Sequence, residues 1–80
     1  MNFTPGIYQH YKGGTYTALF LAFDCNNDRD RDPSVVYVSH TTGIIFTRRL
    51  AEWQEDVIHE GIVQRRFLFV RECARPEKRS

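Results

Sequence analysis

The stretch that decides the fold is Ile7-Tyr-Gln-His-Tyr-Lys-Gly-Gly-Thr-Tyr-Thr-Ala-Leu-Phe-Leu-Ala-Phe23. Residues 7–12 alternate loosely and stop at Gly13-Gly14, a pair typical of a two-residue hairpin turn. Residues 15–23 are rich in aromatic and β-branched side chains, and nine residues are few for a helix. The stretch therefore predicts an antiparallel hairpin near the start of the chain.

Three more strands follow in the pattern. Residues 34–40 (Ser-Val-Val-Tyr-Val-Ser-His) give the clearest strand, and the turn at residues 41–43 leads into another over residues 44–47. Residues 66–71 (Arg-Phe-Leu-Phe-Val-Arg) alternate as a last strand, and residues 24–33 form a polar loop.

One segment breaks the strand pattern. Leu50, Trp53 and Val57 recur at three- and four-residue spacing, which predicts a short helix or 3₁₀ segment before the last strand. The residues after it, His59-Glu-Gly61, predict a turn.

These elements predict a mainly β fold. Our first choice is a small five-stranded antiparallel barrel of the Src-homology-3-like type, because near-closure covers the strand edges. An open antiparallel sheet with the Trp53 helix packed on it, or a strand-swapped dimer, also fits. We expect one domain over residues 1–72 and a frayed basic tail over residues 73–80.

Length and composition limit the class of protein. The chain has 80 residues, of which 41% are hydrophobic and 14% aromatic, so it is too apolar for a disordered chain. The longest apolar run, residues 18–23, is far shorter than the about 20 residues of a membrane helix. Two cysteines, Cys25 and Cys73, and no signal pattern lead us to expect a cytoplasmic protein with no membrane partner.

The charge is balanced overall and uneven locally. The formal net charge is +1, which argues against tight general binding to nucleic acid. Residues 52–60 carry four acidic side chains, whereas residues 64–80 carry six basic and two acidic ones. A weak, salt-sensitive RNA or DNA site in the basic C-terminal stretch therefore stays an alternative.

The usual catalytic and metal-binding patterns are absent. Residues 28–32 (Asp-Arg-Asp-Arg-Asp) resemble the start of a calcium loop, but Pro33 and Ser39 stand where that loop needs Gly and Glu. His10, His40 and His59 have no zinc-site spacing, and no nucleophile–base–orienter set is visible. We therefore expect no metal, no cofactor and no catalytic residues; acid–base catalysis by His10 or His40 is a further alternative.

Aromatic and basic residues meet in the first strand. Alternation places Tyr8, His10 and Lys12 on one face and Tyr11 on the other. Such a face can stack a base and hold a phosphate, or grip a peptide. Alternatively, the rings fill a core that is small for the chain.

Several short motifs resemble one family. They are Pro5-Gly-Ile-Tyr-Gln-His-Tyr-Lys-Gly13, Val35-Val-Tyr37, Gly43 with Arg48, Leu50 and Trp53 after it, and Arg66-Phe67. Together they resemble domain-of-unknown-function family 1653 of bacteria and phages. The chain departs from that pattern at Phe46, where a Trp is usual, and at Arg49, where a Pro is usual.

The resemblance implies one small β domain but no reaction. It implies a special role for six residues, which are our candidate ligand-binding residues: Tyr8, His10, Tyr11, Lys12, Tyr37 and Arg48.

We expect a non-enzymatic binding module. It would be a phage-type inhibitor or sponge that sequesters a phosphorylated nucleotide ligand, or a protein that masks a host protein. In the sponge, Lys12, His10 and Arg48 would hold the phosphate, and the tyrosines would stack on the base. A homo-oligomer is also open.

Overall fold

The structure, a computed structural model, describes residues 3–23 and 32–72. Its elements are β1 (Gly6–His10), β2 (Thr15–Ala22), β3 (Ser34–Ser39), β4 (Ile45–Arg49), α1 (Leu50–Trp53), β5 (Asp56–His59), β6 (Ile62–Arg65) and β7 (Phe67–Arg71). The predicted mainly β class with antiparallel pairing is therefore confirmed. Within the described residues, no helix is long and apolar enough to cross a membrane.

Some sequence-based predictions concern residues outside this range. The two cysteines, most of the polar loop with its aspartate run, and the basic tail over residues 73–80 are not among the described residues.

The main sheet is open. Its five antiparallel strands have the order β4-β3-β2-β1-β7, and the two outermost strands do not pair with each other. The predicted closed barrel is therefore wrong, and the resemblance to Src-homology-3-like folds stays a prediction. The physical reason is that the chain passes from β4 directly into α1, whose Trp53 packs on the sheet, so that side chains rather than strand closure cover the inner face.

Strands β5 and β6 form a second, two-stranded sheet that the sequence did not predict. The predicted turn is present between them, and its residues Glu60 and Gly61 both have positive φ, 55° and 77°. Two successive positive φ values are typical of the type I′ hairpin turn. The usual sequence for that turn is Asn-Gly. Because Glu60 stands at its first position, the sequence lacked the usual signal for a hairpin.

Aromatic rings fill the inner face of the main sheet. The buried hydrophobic residues are Tyr8, Ala18, Val35, Tyr37, Leu50, Trp53 and Phe67. Trp53 stacks on Phe67 with ring centroids 3.8 Å apart and planes only 10° apart. The rings of Tyr8 and Tyr37 approach Trp53 at 5.1 and 4.8 Å. Large rings suit a chain of this length, because each buries more apolar area than an aliphatic side chain.

Gly6 allows β1 and β7 to approach closely. A Cβ at this position would lie 2.6 Å from the Arg71 carbonyl oxygen and 2.9 Å from the Phe69 ring. Only a residue without a side chain fits there, which gives a physical reason for the Gly in the Pro-Gly opening of the first strand.

We predict that Phe67→Ala destabilises the domain by about 3–5 kcal/mol, because it removes a buried ring that stacks on Trp53. The neighbouring change Leu68→Ala, at a side chain that is 59% exposed, should alter stability by only about 0.5 kcal/mol. Urea unfolding followed by circular dichroism measures both. Equal effects of the two changes would contradict the described packing.

Candidate functional site

Two adjoining concavities lie beside β1 and β7. The first, which we call the aromatic concavity, measures about 650 Å³ and is lined chiefly by Phe3, Tyr8, Trp53, Phe67 and Phe69. The second, the basic concavity, measures about 530 Å³ and is lined chiefly by His10, Tyr11, Lys12 and Gln64. Arg65 and Leu68 line both, so the two concavities adjoin at these residues, and we call the pair the cleft.

Tyr8 is fixed in the wall of the aromatic concavity. Its hydroxyl donates a hydrogen bond to the Thr4 carbonyl oxygen at 2.6 Å, and its ring packs edge-on against Trp53 and Phe69. Burial raises the pKa of Tyr8, and the nearby Trp53 indole and the Arg65 charge reduce this effect without reversing it. The hydroxyl therefore stays protonated at neutral pH.

The indole N–H of Trp53 is a buried donor in the same wall. The residue is only 2% exposed, and the acceptor near its Nε1 is the Tyr8 hydroxyl, although the two do not meet at normal hydrogen-bond geometry. Leaving a buried donor without an acceptor costs free energy, so such groups call for a structural or functional explanation.

Tyr11 organises the basic concavity. Its backbone N–H donates to the Arg66 carbonyl oxygen at 3.0 Å and so ties the end of β1 to the junction between β6 and β7. Its ring lies 4.6 Å from the His10 ring and 5.2 Å from the His59 ring. The ammonium of Lys12 lies 5.7 Å from the centre of the Tyr11 ring, a favourable cation–π distance.

His10 is held as a neutral imidazole. Its Nδ1 accepts the backbone N–H of Lys12 at 3.1 Å, which leaves the proton of the neutral ring on Nε2. Partial burial lowers the pKa of His10, and the positive charges of Arg48, Arg66 and Lys12 lower it further. A neutral ring with a fixed tautomer offers Nε2–H as a donor to a ligand.

Most arginines near the cleft are already engaged. Arg66 forms an ion pair with Glu55 at 2.9 Å, and Arg48 lies 3.8 Å from Glu52. Arg65 donates to the Gln54 carbonyl oxygen at 2.9 Å and lies 3.9 Å from Asp56.

Lys12 differs from these arginines. Within residues 3–23 and 32–72, it has no carboxylate at ion-pair distance. Its ammonium is therefore the cation of the basic concavity that is most available to an anion.

The structure brings four of the six candidate residues to this cleft. Tyr8, His10, Tyr11 and Lys12 line it. The predicted alternation holds for Tyr8 and His10 and ends there, because β1 stops at His10 and Lys12 lies in the following turn.

The other two candidates do not line either concavity. Tyr37 is 5% exposed and packs between Trp53 and Phe46. Arg48 lies 5.8 Å from the Phe67 ring and reaches the cleft only through its effect on the charge of His10.

Some cleft residues had no signal in the sequence. The sequence places Trp53 in a short helix, Phe69 in the last strand and Arg65 in the C-terminal basic stretch, and does not show that they meet. These three residues come close to Tyr8 of β1 only in the folded chain, which includes the hairpin of β5 and β6 that the sequence did not predict.

Comparisons with known proteins place these residues in context. A family profile described as a protein of unknown function, DUF1653, matches residues 6–69. A crystal structure of a DUF1653 protein from Bordetella bronchiseptica is 38% identical and superposes with a TM-score of 0.76, covering 95% of this chain and 96% of that chain. A search of curated proteins finds no match.

We predict that His10 titrates below its ordinary value of 6.5 in the folded protein. The unfolded chain then binds the proton more tightly, so the contribution of His10 to stability is present above about pH 6.5 and is lost as the pH falls toward the folded pKa. NMR titration of the imidazole signals measures the pKa directly.

A charge-changing pair of variants tests the cause. Arg48→Gln removes a positive charge that lowers the pKa of His10, so that pKa should rise, whereas Arg48→Lys keeps the charge and should change it less. A wild-type value at or above 6.5, or equal shifts in the two variants, would contradict this account.

Proposed function

Since the chain belongs to the DUF1653 family, whose function is unknown, we propose a function from its cleft: it is a non-enzymatic module that binds a phosphorylated small molecule with a planar ring, such as a nucleotide. The single observation that carries this proposal is that an aromatic and a basic concavity adjoin at Arg65 and Leu68.

The aromatic concavity suits a planar ring. Its wall is built from the edges and faces of Tyr8, Trp53, Phe67 and Phe69, which offer stacking and edge-on contacts to a base.

The basic concavity suits a phosphate. Among the described residues, no carboxylate competes for the Lys12 ammonium. Arg65 can turn from its 3.9 Å contact with Asp56 at little cost, because exposed ion pairs are weak. His10 adds an Nε2–H donor. Three donors around one anion match the oxygen-rich surface of a phosphate group.

The proposal of binding rather than catalysis rests on the same side chains. Tyr8 is committed to the Thr4 carbonyl oxygen, and the Nδ1 of His10 to a backbone N–H. Groups held in this way position a ligand, and no base–nucleophile pair is among them. A sponge that holds a nucleotide signal is one biological role that this chemistry would serve.

Nucleic-acid binding through the basic C-terminal stretch is the alternative that we keep. Much of that stretch lies outside the described residues, and both of its described arginines next to the cleft, Arg65 and Arg66, have acidic neighbours. Such neutralised arginines release fewer counterions on binding a phosphate backbone. The paired arginines therefore favour a small ligand in the cleft over a nucleic acid on the basic stretch.

The proposal is tested by thermal unfolding with a panel of mono-, di- and cyclic nucleotides. A nucleotide that binds should raise the melting temperature and change the fluorescence of Trp53, which is the single tryptophan of the chain and lines the cleft. Lys12→Ala and Arg65→Ala should each weaken binding about tenfold or more, since each removes a charge-assisted hydrogen bond.

The matched control is Arg71→Ala, which removes a positive charge from β7 away from both concavities. It should leave the affinity within about twofold of wild type. No response to any nucleotide would refute a nucleotide ligand, and equal losses in all three variants would point to non-specific electrostatic binding.

A further inference from the structure

The ring of His10 holds the turn that follows β1. Its Nδ1 accepts the backbone N–H of Lys12 at 3.1 Å, two residues further along the chain. Asn and Asp side chains accept the same backbone N–H in Asx turns, so the imidazole of His10 takes the place of such a side chain. An imidazole accepts at Nδ1 only while it is neutral. The hydrogen bond to Lys12 therefore exists only as long as His10 carries no charge.

Positive charges around His10 also favour the neutral ring. Burial lowers the pKa of His10, and the charges of Arg48, Arg66 and Lys12 lower it further. Within residues 3–23 and 32–72, no carboxylate lies at ion-pair distance from His10. The neutral ring thus avoids adding a fourth positive charge to the three around it.

His10 is one of the few groups at the basic concavity whose charge changes near neutral pH. The titratable and charged side chains that face it or line this concavity with it are Tyr11, Lys12, Tyr16, Arg48, Arg65 and Arg66. Glu52 and Glu55 pair with two of these arginines. Phenol, ammonium and guanidinium groups keep their charge between about pH 5 and pH 8, whereas imidazole does not. The other imidazole nearby is that of His59, which contacts the Tyr11 ring at 5.2 Å.

We propose that His10 couples the binding of an anion to the uptake of a proton: when a phosphate enters the basic concavity, His10 becomes an imidazolium and releases the Lys12 amide. The proposal rests on the function proposed above, because it takes the ligand to be an anion in this concavity. The proton comes from the solvent and adds to Nδ1, since Nε2 already carries one. No covalent bond of the ligand or the protein breaks.

Two hydrogen bonds decide the balance between the neutral and the charged ring. The bond that is lost joins two neutral groups in an exposed turn, where water replaces the imidazole as acceptor. The bond that is gained runs from the Nε2–H of an imidazolium to an anionic oxygen, and such charge-assisted bonds are about twice as strong. The anion also offsets the repulsion from the cations around the ring. Binding of the anion therefore favours the protonated ring.

The first hairpin does not depend on the ring of His10. The backbone N–H of His10 donates to the Gly14 carbonyl oxygen at 3.0 Å, and the Gly13 N–H donates to the His10 carbonyl oxygen at 2.8 Å. Neither bond involves the imidazole, so both remain when it is protonated. The change is therefore local and frees the amide of Lys12, the residue whose ammonium is most available to the anion.

The direction of the pH effect follows from the two pKa values of His10. The pKa is lowered in the free protein, and an anion beside Nε2 raises it in the complex. As the pH falls, the affinity for the anion therefore rises through the pKa of the complex. It levels off below the pKa of the free protein, where His10 is protonated with or without the anion.

The test uses sulfate as the probe, because it has the tetrahedral oxygens of a phosphate and stays a dianion between about pH 5 and pH 8. NMR titration at constant ionic strength, with chloride as the balancing salt, measures its dissociation constant. Sulfate should bind about tenfold more tightly at about pH 5 than at about pH 8. At constant pH, added sulfate should also accelerate hydrogen exchange of the Lys12 amide, because that amide loses its acceptor.

Two variants separate His10 from the other titrating groups. His10→Asn keeps a side-chain acceptor for the Lys12 N–H and has no proton to gain, so its affinity for sulfate should no longer rise at low pH. His59→Gln is the matched control, because it removes the other nearby imidazole and should keep the gain in affinity. Circular dichroism checks that each variant is folded.

Three results would overturn the proposal. They are sulfate that binds equally at both pH values or not at all, a gain that His10→Asn retains, and a gain that His59→Gln abolishes. Thermal unfolding with nucleotides judges the function of the cleft separately. A cyclic nucleotide, whose diester charge is constant in this range, would keep that function and overturn the coupling if it bound equally at both pH values.

Discussion

The stacking of Trp53 on Phe67 is the interaction on which the rest of the structure depends. It joins the single-turn helix α1, which directly follows the edge strand β4, to β7 at the opposite edge of the sheet. The rings of Tyr8, Tyr37 and Phe67 then complete an aromatic layer around Trp53. Because this layer covers the inner face, the sheet gains a core without joining its two outer edges.

The same layer supplies one wall of the cleft. Trp53 and Phe67 belong both to the core and to the aromatic concavity, so packing and recognition share side chains. An 80-residue chain buries a limited fraction of its surface, and residues that serve both purposes are an economical solution. The sequence allowed the aromatic rings to fill the core or to form a binding surface, and the structure has rings in both places. Tyr37 belongs to the core alone, whereas Tyr11 lines the cleft.

Local features were predictable from the sequence and long-range ones were not. The first hairpin, the strand over residues 34–39 and the helical turn at Trp53 follow from residue spacing and turn chemistry. The turn of the first hairpin spans residues 11–14, however, and not the predicted two glycines alone. The opening of the sheet depends on which side chains pack together across the chain, and the second hairpin has Glu60 where the turn usually carries Asn. Neither the open sheet nor the second hairpin leaves a periodic pattern in the sequence, so spacing rules do not detect them.

The candidate site divides in the same way. Tyr8, His10, Tyr11 and Lys12 are consecutive or nearly so, and a strand with its turn places them together whatever the remaining fold. Arg65 joins them through a tertiary contact that the sequence does not show. Tyr37 lies on β3, separated from β1 by β2, and faces the core there.

The second hairpin has a consequence for the kinetics of the cleft. Within the described chain, β5 and β6 pair only with each other, and a two-stranded hairpin alone is marginally stable in water. Gln64 and Arg65 enter the cleft from this hairpin. The hydrogen bond from Tyr11 to Arg66 and the contact of the Tyr11 and His59 rings add to this pairing, and we expect the hairpin to open at a smaller free-energy cost than global unfolding. The mouth of the cleft can therefore widen while the five-stranded sheet stays intact, and a bound ligand that contacts Arg65 would slow amide hydrogen exchange in the hairpin.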